Sequence, residues 1–165
     1  MFTSIDDFTA EWSQEAKMTK QVMNLLTDES LNQAITNKHR TLGKLAWHLV
    51  ESVGYMTSLG LKFEGPDNGE KVSNSAVAIA EEYERISEAI LEAVKTQWDN
   101  ESLRITQTVF GEEWNNGASL RFTIMHQAHH RGQMNVLMRQ AGLRIPDLYG
   151  PNYDSWIERG MEPLA

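Results

Sequence analysis

Two histidines, His126 and His130, lie four residues apart in the sequence His-Gln-Ala-His-His. An α-helix turns about 100° per residue, so this spacing places both side chains on one face, one turn apart. Two imidazoles in that arrangement suit a single divalent cation. His48 is the candidate third ligand, because it borders the apolar face of another predicted helix. The spacing therefore indicates a metal site made by His48, His126 and His130.

The same histidines have a second interpretation, as core side chains that find hydrogen-bond partners and bind no metal. An unpartnered buried imidazole costs about a few kcal/mol, and the interior of a helical protein offers few spare acceptors, so metal binding and this interpretation are weighed equally. A zinc-peptidase pattern is a poor fit, because Gln127 occupies the place of the glutamate that acts as general base.

Other side chains are placed near the histidines by helix position alone. Tyr55, Ser52, His129 and Gln133 are candidates for orienting a substrate. Of these, His129 is a candidate general base, and Gln133 can hydrogen-bond a ligand imidazole or a bound water.

The two residues after His130 raise separate expectations. Arg131 is expected to face outward as a solvated or interface charge. Gly132 costs about 1 kcal/mol of helix stability relative to alanine, which indicates close packing by a neighbouring helix or a second subunit.

Four amphipathic segments must position these residues. Apolar residues recur at helical spacing over about residues 4–27, 41–61, 73–98 and 118–141. Ser4 and Thr41 are predicted N-caps, and Gly142 is the predicted C-cap of the last long helix. On that helix the predicted core stripe contains Phe122, His126, His130, Gln133 and Leu137.

The connections carry weaker patterns. The breaker-rich run at residues 65–69 is expected to end the second segment. Residues 99–117 are interpreted as a loop, with Val109, Phe110 and Trp114 packing beneath it. A tail over about residues 143–165 includes one or two helical turns near residues 154–158. The predicted fold is all-α, an antiparallel four-helix bundle in a single domain over residues 1–165.

Composition narrows the chemistry. The 165-residue chain has no cysteine, which excludes disulfides, thiolate metal sites and a cysteine nucleophile and fits a cytoplasmic protein. Its net charge of −8, from 23 acidic and 15 basic residues, argues against nucleic acid as a partner. The first residues lack a basic run followed by an apolar stretch, so no signal peptide is expected, and no apolar run approaches the roughly 18 residues of a membrane span.

Four sequence motifs in order resemble the DinB (DinB/YfiT-like) family of bacterial four-helix-bundle proteins. They are RTLGKLAWH at residues 40–48, FGEEW at 110–114, HQAHHRGQ at 126–133, and GLRIP with LYGP at 142–151. The resemblance implies a divalent metal, nickel or zinc, held by His48, His126 and His130. Many members carry glutamate at the position of Gln127, which is not a ligand in the family pattern. The resemblance also implies a homodimer.

Two functions from different classes follow. The first is a metal-dependent enzyme acting on a small molecule. The resemblance implies thiol-dependent chemistry, because some relatives are S-transferases or isomerases that use a low-molecular-weight thiol such as bacillithiol, mycothiol or glutathione. Because this chain has no cysteine, the thiol in such a reaction would have to come from a substrate. The second is a non-catalytic binding or stress-response module whose metal is structural or sensory. Histidines partnered in a metal-free core remain a third interpretation.

Overall fold

Over the residues that the structure describes, the chain forms five α-helices, several 3₁₀ segments and one two-stranded sheet. The computed structural model describes residues 1–66 and 74–163. Within them the helices are α1 (Ile5–Met23), α2 (Leu42–Glu51), α3 (Ala76–Gln97), α4 (Asn116–Gln140) and α5 (Tyr153–Glu158). The strands are β1 (Thr106–Val109) and β2 (Glu112–Asn115). The architecture is therefore mostly helical, and each of α1 and α2 packs against both α3 and α4.

Side-chain caps define where the long helices begin. Ser4 and Thr41, both predicted caps, accept hydrogen bonds from the backbone amides of Asp7 and Lys44. Helix α4 begins two residues earlier than predicted, because the Asn115 side chain accepts from the Ala118 amide. Each cap satisfies an amide that has no partner within its helix.

Helix ends and connections differ from the prediction in places. Helix α2 ends at Glu51, and its predicted continuation is a 3₁₀ segment, Ser52–Leu59. Gly142 adopts the left-handed conformation of a C-cap, as predicted, with φ 76°. The predicted turns near residues 154–158 are α5. Residues 67–69 of the breaker-rich run, and the predicted start of the third segment at residue 73, lie outside the described residues.

The expectation of a purely helical chain is wrong between residues 99 and 117. There β1 and β2 pair antiparallel, with Thr106 opposite Asn115 and Val109 opposite Glu112. A two-residue turn joins them, with Phe110 and Gly111 both at positive φ, 53° and 85°. In sequences, such turns are usually recognised by an Asn-Gly or Asp-Gly pair. The Phe-Gly pair and the four-residue strands therefore gave little indication of a hairpin. Phe110 is exposed rather than packed beneath a loop.

The buried face of α4 is rotated from the predicted stripe. Its centre is formed by Leu120, Thr123, Gln127, Arg131 and Met134, all buried. On a helical projection this face lies about 100° or more from Phe122, so the histidines form its edge instead of its centre. The predicted stripe was misplaced because polar residues occupy much of the true core face.

Arg131 is the largest departure from expectation, because it is buried with 1% exposure instead of facing solvent. Its Nη1 donates to the Glu15 carbonyl and to the Thr19 hydroxyl, both at 2.8 Å. Its Nη2 contacts the Glu15 carboxylate and the Tyr149 hydroxyl. We call Arg131, Glu15, Thr19 and Tyr149 the arginine cluster. It connects α4 to α1 and anchors the tail.

Gly132 lies on the outer side of α4. A Cβ built there would meet no atom of the described chain within 4 Å. A neighbouring helix of the described chain therefore does not explain this glycine. The described residues also contain no helix with the length and apolar character needed to cross a bilayer.

Candidate metal centre

Helices α2 and α4 bring three histidines together. His48 is in the last turn of α2, and His126 and His130 are one turn apart on α4. The three ligand nitrogens lie within 4.8 Å of one another. We call these three residues the histidine cluster. Helical spacing selects the same three residues from the sequence.

The nitrogens are spaced as ligands of one ion would be. His126 Nε2 is 2.9 Å from His130 Nε2 and 3.4 Å from His48 Nε2. Two imidazoles bound about 2.0–2.1 Å from one ion place their nitrogens about 3–3.4 Å apart. The three rings are also nearly perpendicular to one another, with interplanar angles of 82° to 89°. The donor set therefore fits one divalent cation that prefers nitrogen ligands.

Gln133 defines the protonation of one ring. Its Oε1 is 2.7 Å from His130 Nδ1. Because an amide oxygen only accepts, Nδ1 carries the proton, and Nε2 of the neutral ring presents a lone pair to the cluster. The predicted contact between Gln133 and an imidazole is therefore present.

All three imidazoles favour the neutral, metal-binding form. Burial lowers the pKa of His48 to about 4, with the positive charge of Arg40 as the next cause. Burial also lowers the pKa of His126 to about 4, helped by the neighbouring His130 and His48. The pKa of His130 is lowered by burial, although the hydrogen bond that His130 donates to Gln133 acts in the opposite direction. At neutral pH the cluster thus presents unprotonated rings.

The other predicted site residues have different surroundings. The Tyr55 hydroxyl lies 2.7 Å from the Ser119 carbonyl and 2.8 Å from the Thr123 hydroxyl, and burial raises the pKa of Tyr55 to about 12. Ser52 donates to the carbonyl of Leu49. These hydroxyls are already engaged by the fold. His129 is exposed, with its ring 4.8 Å from that of His130.

An aromatic wall that the sequence analysis did not identify borders the cluster. The ring of Phe122 stacks on His126 at 5.5 Å, and Trp114 and Phe110 pack against Phe122. Tyr55 contacts Phe110 and Phe122. The hairpin thus delivers Phe110 and Trp114 to the site, which required a pairing that the sequence did not indicate.

Two cavities open beside the histidines. The first, of about 330 Å³, is lined by His130 and Gln133 together with apolar side chains of α2, α4 and the segment before α2. The second, of about 540 Å³, is lined by His48 and Trp47. Arg40 lines both. The site therefore has room for a small molecule on either side of Arg40.

The chain is similar to known proteins along almost its whole length. The model of the DinB family matches residues 1–161. The Bacillus subtilis (strain 168) protein YrdA, described as uncharacterized, is 45% identical over 163 residues, which cover 98% of each chain. A crystal structure of a DinB-like protein from Bacillus cereus ATCC 10987 is 42% identical with a TM-score of 0.85, and the match covers 90% of this chain and 100% of that one.

A more distant structure shares the fold. The DinB-like protein YjoA from Bacillus subtilis is 13% identical, with a TM-score of 0.67 over 88% of this chain and 99% of that one. The family match over residues 1–161 and the 45% identity to YrdA lead to the same conclusion. This chain belongs to the DinB family.

Proposed function

We propose that the chain is a metal-dependent enzyme that acts on a small molecule, with thiol-dependent S-transfer as the reaction class. The observation that carries the proposal is the meeting of three neutral imidazole nitrogens within 4.8 Å of one another, beside open cavities. Nickel or zinc is the proposed ion, held by His48, His126 and His130. Helices α1 to α4 are proposed to form an antiparallel four-helix bundle that positions the three histidines.

The chemistry of the donor set supports catalysis over a closed structural site. Three imidazoles leave the ion its full charge and at least one position for another ligand. An ion in such a site lowers the pKa of a bound water or thiol toward neutral pH. Because the chain has no cysteine, the thiol would be a low-molecular-weight substrate.

The chain's own residues have separate proposed roles. Gln133 orients His130 through the 2.7 Å contact with Nδ1. His129 is exposed beside the cluster and is placed to accept the proton that a thiol substrate releases. Tyr55 holds the 3₁₀ segment Ser52–Leu59 against α4 and so positions the aromatic wall rather than reacting.

Metal analysis tests the ligand assignment. Protein purified without a His tag should contain about one nickel or zinc per chain, and His126→Ala should contain almost none. His39→Ala is the matched control, because its exposed ring contacts Thr36 outside the cluster. Equal metal in the parent and His126→Ala would remove the three-histidine assignment.

Turnover distinguishes the enzyme from a module with a structural or sensory metal. A structural role is a serious alternative, because an ion bound by the histidine cluster would connect α2 to α4. Transfer of bacillithiol, mycothiol or glutathione to several electrophiles should be lost with chelator and restored by metal. Metal binding without any such turnover would favour the structural role, and turnover that survives chelation would remove the metal from the mechanism.

The homodimer is also a proposal. Gly132 is exposed on α4, and a second subunit packed there would give it the close neighbour that the described chain lacks. Sedimentation of the parent chain should show a dimer that Gly132→Glu weakens. A monomeric parent would contradict the proposal.

A further inference from the structure

Arg40 differs from the other arginines of the chain. Each of the other seven forms an ion pair with an aspartate or glutamate of the same chain. Across residues 1–66 and 74–163, Arg40 forms no ion pair and no hydrogen bond through its side chain. A guanidinium carries five donors in a planar fork that matches a carboxylate. Arg40 is therefore the arginine whose binding capacity the described chain leaves open.

The position of Arg40 relates it to the metal centre. It directly precedes Thr41, the N-cap of α2, and lines both cavities beside the histidine cluster. Arg40 shares the first cavity with His130 and the second with His48. Its positive charge would repel a bound divalent cation. A negatively charged ligand between the two would remove that cost.

The cavity next to Arg40 indicates the rest of the ligand. Its volume of about 330 Å³ is at the small end of the range for ligand pockets. Its apolar wall consists of Ile35, Leu45, Val136 and Leu137, and its polar side chains besides Arg40 are His39, His130 and Gln133. Ile35 and Val136 are 63% and 51% exposed, so a ligand would cover apolar surface that the chain leaves open.

From this geometry, and on the basis of the proposed function, we infer that Arg40 is the anion anchor of the substrate site. The substrate class is a small carboxylic acid with a short apolar body. Its carboxylate pairs with the Arg40 fork, its body lies along Ile35, Leu45, Val136 and Leu137, and its reacting end lies at the histidine cluster. A carboxylate is favoured over a phosphate because one guanidinium matches its two oxygens and neutralises its single charge.

The test is calorimetric binding of hexanoate and its neutral analogue hexanamide to metal-free protein, where no ion competes for the carboxylate. Hexanoate should bind the parent, and hexanamide should bind at least about tenfold more weakly. Arg40→Ala should weaken hexanoate by at least about tenfold without changing hexanamide. The affinity of Arg40→Lys for hexanoate should lie between those of the parent and Arg40→Ala, because lysine keeps the positive charge but lacks the planar pair of donors of a guanidinium. Arg104→Ala is the control, since that exposed side chain pairs with Glu101.

Several results would overturn the inference. They are equal hexanoate binding by the parent and Arg40→Ala, equal binding of hexanoate and hexanamide, tighter binding of inorganic phosphate than of hexanoate, and no binding of hexanoate at millimolar concentration. Urea unfolding of each variant checks that the fold is intact. Metal content is measured separately, so a chain that binds hexanoate through Arg40 but no metal would refute only the proposed function.

Discussion

Helix α4 carries two polar clusters at adjacent positions, and they are satisfied in opposite ways. In the arginine cluster, a buried cation meets a carboxylate, a carbonyl and two hydroxyls of its own chain. In the histidine cluster, three like nitrogens face one another, and the group contains no carboxylate. A cluster closed by complementary groups serves the structure, whereas converging nitrogen lone pairs could hold a metal ion from solution. The contrast separates stability from function along one helix.

The largest effect is expected in the arginine cluster. Arg131→Met leaves the carboxylate of Glu15, which is 7% exposed, buried without its cation. Breaking such a pair costs about 3–5 kcal/mol, so the free energy of unfolding measured in urea should fall by that amount. The double variant Arg131→Met with Glu15→Leu should recover much of the loss. A single variant as stable as the parent would show that this cluster, too, is not structural.

Arg131 also shows where sequence reasoning failed and why. The caps at Ser4 and Thr41, the locations of α1, α3 and α4, the start of α2 and the meeting of the three histidines follow from spacing and local chemistry. The orientation of α4 does not, because Gln127 and Arg131 lie on its buried face and mislead any pattern based on hydrophobicity. Glu15 and Thr19, the partners of Arg131 on α1, are more than 100 residues away in the sequence, so only tertiary packing shows that its charge is compensated.

The hairpin was not predicted from the sequence for a different reason. Its two strands have four residues each, and its turn lacks the usual asparagine or aspartate. The aromatic wall depends on this hairpin, so Phe110 and Trp114 could not be assigned to the site from sequence. In the sequence, Arg40 likewise stands out only as part of the RTLGKLAWH motif. Its lack of ion-pair partners among the described residues is a property of the folded chain and could not be predicted.

In the histidine cluster, the second-largest effect should appear only when metal is present. An ion at about a thousand times its Kd stabilises the folded chain by about 4 kcal/mol. His126→Ala should lose most of that gain, while its metal-free stability changes little, since His126 contacts chiefly the other two histidines and Phe122. Urea unfolding with nickel and with chelator measures both values. If His126→Ala were destabilised equally in both conditions, the two clusters would not differ in kind.

A smaller effect is expected from the residue that orients His130. Gln133→Ala removes the acceptor at 2.7 Å from His130 Nδ1. Loss of such an orienting partner weakens metal affinity about tenfold to a hundredfold, or about 1.4–2.7 kcal/mol. Gln140→Ala, at an exposed position on the same helix, is the control. Titration of metal-free protein with nickel gives the affinities, and unchanged affinity in Gln133→Ala would show that this contact does not prepare the ring for metal.

The smallest expected effect is the pH dependence of the free energy of unfolding of metal-free protein, which should come from the histidine cluster and not from the arginine cluster. The pKa of His48 and of His126 is about 4 in the folded chain and about 6.5 in the unfolded chain. Between these values the unfolded chain binds more protons, so stability is full above about pH 6.5 and declines as the pH falls toward 4. Allowing for solvent access, we expect a loss of about 1–2 kcal/mol between pH 7 and pH 5.

Two variants assign this pH dependence to one cluster. Gln keeps a polar side chain of similar reach without titrating, so His48→Gln with His126→Gln should flatten the profile over that range. The double variant Arg131→Met with Glu15→Leu should leave the slope there unchanged, because it removes both charges of the arginine cluster together and leaves no unpaired buried carboxylate to titrate. A profile that stays steep in the histidine double variant would place the titrating groups elsewhere. The comparison would then rest on the metal-dependent difference alone, since both clusters would be equally indifferent to protons.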